Sequence, residues 1–129
     1  MLPDGHLQKQ ESYFKMEHAL YANERYLNLT KVQRCLLIDF CGQYNGRNNG
    51  DLVLTPTFAD EFQWVYKTVK ENKQALIDSG LVRLVGRKPL NSGKFMNLYA
   101  IAWRNLDEDC NTWIEEEAKK KKPLSLKFS

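Results

Sequence analysis

The stretch Y-N-G-R-N-N-G-D, residues 44–51, crowds two glycines, three asparagines and one arginine into eight positions. Such a stretch cradles phosphate when it follows a strand and opens a helix, because the unpaired amides of the helix start then face the anion. Here the order is reversed. Thr30 is a good N-cap, and Val32, Cys35, Leu36, Phe40 and Tyr44 follow it at helical spacing, with Leu37, Ile38 and Cys41 widening the apolar face. Asn45-Gly46 then fits a helix C-terminus, Asn49-Gly50 fits a second turn, and Asp51 to Thr55 alternates like a short strand. Helix, glycines, strand is a connector. It directs the reading away from a nucleotide-using enzyme and toward a binding protein, with Arg47 as the one side chain in it suited to a phosphate.

Downstream, Thr55-Pro56 is a helix start, with threonine as cap and proline in the first turn, and Phe58, Ala59 and Phe62 form its apolar face. After Gln63-Trp64-Val65 a second helix runs from about Tyr66 to Asp78, with Val65, Val69, Leu76 and Ile77 inward and Ser79-Gly80 at its end. Two helices joined by a tight turn make a helix-turn-helix outline. Leu81 to Val85 and Phe95 to Trp103 alternate as the arms of a β-hairpin, whose tip is the basic G-R-K-P-L-N-S-G-K of residues 86–94. Residues 105–122 read as a C-terminal helix with acids early and lysines late, as the helix dipole prefers, stopped by Pro123. At the other end, residues 1–12 read as a flexible N-terminus, Tyr13–Met16 as a short strand, and His18–Tyr26 as one short helix burying Ala19, Leu20 and Ala22.

The totals fit a single domain: 129 residues, 43% apolar, with no apolar run long enough for a membrane span and no signal segment. Cys35, Cys41 and Cys110 cannot all pair within one chain and lack C-x-x-C spacing, so thiols in a reducing cytoplasm fit better than a disulfide framework. The net charge of +3 hides its distribution. The Lys119–Lys122 run contributes four charges, while residues 66–94 carry seven basic side chains against two acidic ones, a local +5. A localised basic segment suits a polyanion.

Helix, short strand, helix, turn, helix and hairpin is the element order of winged helix-turn-helix domains. The chain resembles a group of them found in bacterial, prophage and plasmid proteins. The resemblance rests on Y-F-K-M at 13–16, L-T-K-V-Q-R-C-L-L-I-D-F at 29–40, Y-N-G-R-N-N-G at 44–50, S-G-L-V at 79–82 and L-Y-A-I-A-W at 98–103. It implies an α+β fold: a mostly helical winged helix-turn-helix with a short strand and a hairpin wing over residues 13–105, then a C-terminal helix and basic tail over 106–129. It also implies a cytoplasmic DNA-binding protein of a mobile genetic element, a transcriptional regulator or replication accessory acting on double-stranded DNA. Two positions depart from the group. The inter-helix turn, often carrying a glycine, reads Q-W-V, and Lys73 stands where an aliphatic residue is expected.

In a DNA complex the 66–78 helix would enter the major groove by its N-terminal half. Tyr66, Lys67, Lys70, Glu71 and Gln74 read as its outward side, with Lys67 and Lys70 suited to phosphates or guanine edges and Gln74 to adenine edges. Lys73 adds to the basic cluster, and Thr68 fits either capping or a phosphate contact. Arg87, Lys88 and Lys94 on the wing would hold backbone or the adjacent minor groove. Trp103 reads as core and Trp64 as a packed plug in the turn, while Trp113-Ile114 fits either packing on the domain or a homodimer seam. The lysine run fits either phosphate contact or solubility. A second function class is a winged-helix module that binds a host protein, such as a phage-encoded inhibitor of a host defence protein; the acidic 107–117 segment motivates it. An enzyme is not expected, because neither a nucleophile-and-base signature nor metal-ligand spacing is present and the two histidines lie near the start. No cofactor is expected.

Overall fold

The computed structural model of the chain describes residues 16–126. The segment 1–12, residues 13–15 of the expected Tyr13–Met16 strand, and the end of the basic tail lie outside the described residues. Within them, helices and one antiparallel hairpin give an α+β fold.

The expected 18–26 helix is two helices, α1 (His18–Ala22) and α2 (Glu24–Leu27), because Asn23 breaks the run. Its buried side chain accepts from the Arg25 amide as the cap of α2 and donates to the Leu126 carbonyl at 2.9 Å. Helix α3 (Lys31–Cys41) opens on a full capping box, Thr30 accepting from the Gln33 amide and Gln33 reaching back to the Thr30 amide. It ends at Cys41, before the expected Asn45-Gly46 stop, with Gly42 as C-cap. Its buried face is Leu36, Leu37, Phe40 and Cys41, whereas Val32, Cys35 and Ile38, expected inward, are exposed. The apolar surface of α3 is wider than the core it meets. The face carrying Gln33 turns toward the next long helix, where Gln33 donates to Asn72.

Helix α4 (Pro56–Glu61) starts as expected, with Thr55 accepting from the Phe58 amide. The turn after it solves the missing-glycine problem with strain. Gln63 adopts φ +61, and the amides of Gln63 and Trp64 bond to the carbonyls of Asp60 and Ala59, the Schellman arrangement. Trp64 pins this turn to α3 by donating its indole N–H to Asp39 at 2.7 Å. Helix α5 (Tyr66–Asp78) follows with the expected bounds, burying Val69 and Leu76; Val65, expected inward, is 70% exposed.

Strands β1 (Val82–Pro89) and β2 (Phe95–Ile101) pair antiparallel. β1 runs four residues further than expected, so Arg87 and Lys88 belong to the strand and the tip shrinks to residues 90–94. β2 stops at Ile101, short of Trp103, which is nonetheless buried in the core as expected. The expected 51–55 strand is reduced to one bridge on the outer edge of β2, with Leu52 and Tyr99 exchanging both backbone bonds at 2.8 and 3.1 Å.

Two steps further along that edge, the side chain of Asn49 takes over. Its Oδ1 accepts from the Ile101 amide at 2.7 Å and its Nδ2 donates to the Ile101 carbonyl at 3.1 Å. A carboxamide has the donor and acceptor of a peptide group, so Asn49 continues the ladder by one rung. The same Nδ2 lies 2.9 Å from the Asn105 carbonyl, and Asp107 bonds both the amide and the carbonyl of Asn49. The glycines beside it serve this seat. Gly46 and Gly50 hold φ of +94 and +119, and Ile114 would block a side chain at Gly50.

The expected continuous helix over 105–122 is instead a 3-10 segment (Glu108–Trp113) and a short helix α6 (Glu116–Lys120). The chain is pulled extended between them because Ile114 bridges to Gly86 and the Glu115 amide donates to Val85. A bulge between Leu84 and Gly86 leaves the Val85 carbonyl free for that bond. The main core lies between the helices and one face of the hairpin. A second cluster of Val85, Leu98, Ala100, Ile114 and Ala118 seals the other face. Each fully buried leucine or phenylalanine in these cores is worth roughly 1.5–3 kcal/mol.

Candidate nucleic-acid interface

α5 presents two different sides. Tyr66, Lys70 and Lys73 follow one another at i, i+4 and i+7, and Lys67, Glu71, Gln74 and Asp78 form the neighbouring, outermost row. Tyr66 is half-buried, not outward; its ring packs on the core and carries the Lys70 ammonium 5.8 Å from its centre. Lys73 is also half-buried. The outermost row carries one cation against two acids, exposed Lys67 against Glu71 and Asp78, and Gln74 donates to Asp78 at 2.9 Å. Thr68 sits on the side turned to α3, where its carbonyl accepts from Asn72, and Asn72 in turn accepts from Gln33.

The hairpin divides its cations by strand alternation. Arg87 is opposite Asn97 and shares a face with Phe95, over whose ring its guanidinium lies 5.1 Å from the centre. Lys88 is opposite Met96 on the other face, where Met96 packs against the second core cluster. Lys94 closes the tip, its carbonyl accepting from the Leu90 amide. A groove of about 390 Å³ is lined by Tyr66 and Lys73 of α5, by Phe95, Asn97 and Tyr99 of β2, and by residues 54–57 where the chain enters α4. Burial raises the Tyr99 phenol above its ordinary value, with the Asn97 contact at 3.5 Å acting the other way, so it remains a neutral hydroxyl.

Of the ten residues singled out from the sequence, Tyr66 and Lys73 line this groove, while Lys70 and Arg87 adjoin it only through the rings they lie over, Tyr66 and Phe95. Lys67, Glu71 and Gln74 lie on the adjacent outer row, Lys94 at the tip, and Lys88 and Thr68 face elsewhere. None of the cations among them takes part in an ion pair among the described residues. Arg83, counted in the basic segment, is committed to structure: it donates to the Ala118 carbonyl at 2.8 Å, and burial lowers its pKa. Arg47 sits on the exposed loop whose carbonyl faces the Cys110 thiol. Sequence reasoning passed over Phe95 and Asn97. Their signal was the period-two alternation Phe95, Asn97, Tyr99 on a strand whose first member is 58% exposed.

Among the described residues no helix is long and apolar enough to cross a membrane. Comparison with protein-family models, with curated proteins and with solved structures returned no match.

Proposed function

We propose that this chain is a winged helix-turn-helix protein that binds double-stranded DNA, a regulator or replication accessory of a mobile genetic element. In this reading α4 and α5 are the helix-turn-helix, β1–β2 is the wing, and α5 meets the major groove while the wing holds the backbone. The observation that carries it is a groove lined by Lys73, Tyr66 and Phe95, the two rings carrying Lys70 and Arg87, with none of the three cations in an ion pair among the described residues. Cations left free in this way attract phosphate and gain affinity by releasing its counterions. The Y-N-G-R-N-N-G resemblance supplies the mobile-element context. The test is fluorescence anisotropy of the full chain with duplex from its own upstream region, titrated across salt. Affinity should fall steeply with salt, and Lys70→Ala and Arg87→Ala should each flatten the log–log slope by about one phosphate contact. No salt-sensitive binding at low ionic strength would sink the reading.

The outer row of α5, with one cation against two acids and flanked by the exposed Val65, favours a second reading as a protein-binding module. A pulldown from the host with and without nuclease separates the two. Partners lost on nuclease treatment support DNA binding, and partners retained support the protein module.

A further inference from the structure

We infer that the groove between α5 and the hairpin is a pocket for one unpaired nucleobase of a DNA strand, an inference that rests on the DNA-binding reading above. Phe95 is the observation that starts it. The ring stands 58% exposed at the start of β2, although nothing in the core needs it there. Arg87 stacks over it, and across the groove Tyr66 carries Lys70 in the same manner. Tyr66 and Phe95 both line the groove and each ring carries a cation; aromatic side chains for the bases with cations for the phosphates is how proteins hold single-stranded nucleic acid. Between the rings, Lys73 supplies a third charge and the Asn97 carboxamide supplies the donor and acceptor needed at a base edge. A volume of about 390 Å³ lies at the lower end of ordinary ligand pockets and is enough for a base and its sugar.

A base inside a duplex has both faces covered by its neighbours. Ring faces therefore recognise only a base that has left the stack, and leaving costs least where the base has no partner. A duplex adjoining an unpaired segment would satisfy both parts of the surface, α5 on the duplex and the groove on the first free base. That substrate class is what a replication accessory meets at an opened origin.

The test uses the full chain with a blunt duplex and the same duplex carrying a short overhang, with 2-aminopurine at the first unpaired position. The overhang should bind on the order of tenfold tighter than the blunt duplex, and the 2-aminopurine emission should be quenched on binding as the base stacks. Phe95→Ala should bring the overhang down to the blunt-duplex affinity of the same variant and abolish the quench, and Phe95→Trp should restore both. Equal affinities with no quench, while the blunt duplex still binds, overturn this inference and leave the DNA-binding reading standing. Failure to bind any DNA overturns both.

Discussion

Replacing Asn49 with alanine tests whether one carboxamide serves as a rung of the sheet. The residue has no exposed surface, and its side chain is the partner of both the amide and the carbonyl of Ile101. Its removal strands that buried donor and acceptor, at about 1–3 kcal/mol each. The Asn105 carbonyl, in a half-buried setting, recovers water. The expected loss is therefore about 3–4 kcal/mol, or roughly 10–20 °C in melting temperature for a domain of this size. Urea unfolding followed by tryptophan fluorescence measures it. Asn49→Asp sharpens the test. Aspartate keeps the acceptor for the Ile101 amide but turns an oxygen toward the carbonyls of Ile101, Arg104 and Asn105. Burial and these dipoles raise the folded-state pKa of the new carboxyl, so its penalty is complete at neutral pH and recedes as pH falls through that raised value. Near pH 7 Asn49→Asp should be the less stable of the two variants, and near pH 5 the gap between them should narrow. A loss below about 1 kcal/mol for Asn49→Ala, or a pH-independent gap, would refute the peptide-mimic account.

Gly86→Ala should cost about 2–4 kcal/mol, because its Cβ would fall on the Trp113 carbonyl and push away the segment that bonds Val85 through Glu115; an unchanged urea midpoint would contradict that packing. Gln63→Gly should stabilise by up to about 1 kcal/mol by relieving the left-handed backbone at φ +61, read as an upward shift in melting temperature. Thiol labelling read by mass spectrometry should modify exposed Cys35 first. Cys110, its thiol pushed up to about 11 by burial and then by Asp51, Asp107 and Asp109, should react only as pH climbs toward that value, and buried Cys41 only on unfolding. Because the folded pKa values of both Cys41 and Cys110 are raised by burial, they hold stability that is complete below the ordinary thiol range near 9 and lost above it. Cys110→Ser should therefore flatten the fall in melting temperature between about pH 9 and 11.

The parts of the fold written in local chemistry were legible. Thr30 and Thr55 cap where their hydroxyls can reach an unpaired amide, and α5 spans its expected range between a tight turn and Ser79-Gly80. What local chemistry could not reveal was decided at a distance. Residues 105–122 have helical composition and dipole-matched charges, yet Gly86 and Val85 draw Ile114 and Glu115 into a bridge and break the helix there. The apolar stripe of α3 was visible, but which of its sides would be covered depends on how α5 lies across it, and Val32 and Ile38 stayed outside. The candidate site was legible in the same uneven way. Lysine spacing placed Lys70 and Lys73 on neighbouring turns, but sequence alone did not supply the register that sets Arg87 beside Phe95, or the packing that brings Phe95 and Lys73 to one groove.

That register also changes where the positive field lies. By composition the densest charge is the Lys119–Lys122 run. In the fold, Glu115, Glu116 and Glu117 accompany it: Lys119 bonds Glu116 at 3.2 Å, and Lys121, Lys122 and Arg83 line a groove shared with Glu115 and Glu117. Charges of opposite sign held this close largely cancel beyond a Debye length of about 8–10 Å. Lys70, Lys73 and Arg87 take part in no ion pair among the described residues, although Glu71 follows Lys70 on α5, and Lys70 and Arg87 lie over aromatic rings, which leave the cationic charge uncancelled. On the proposed DNA-binding reading, phosphate would be held beside the α5–hairpin groove in preference to the lysine-rich end. The outer row of α5, with Lys67 against Glu71 and Asp78, adds nothing to that attraction, so on the same reading base selection there would rest on the short-range bonding of Lys67, Glu71 and Gln74, separate from the charge that brings the strand in.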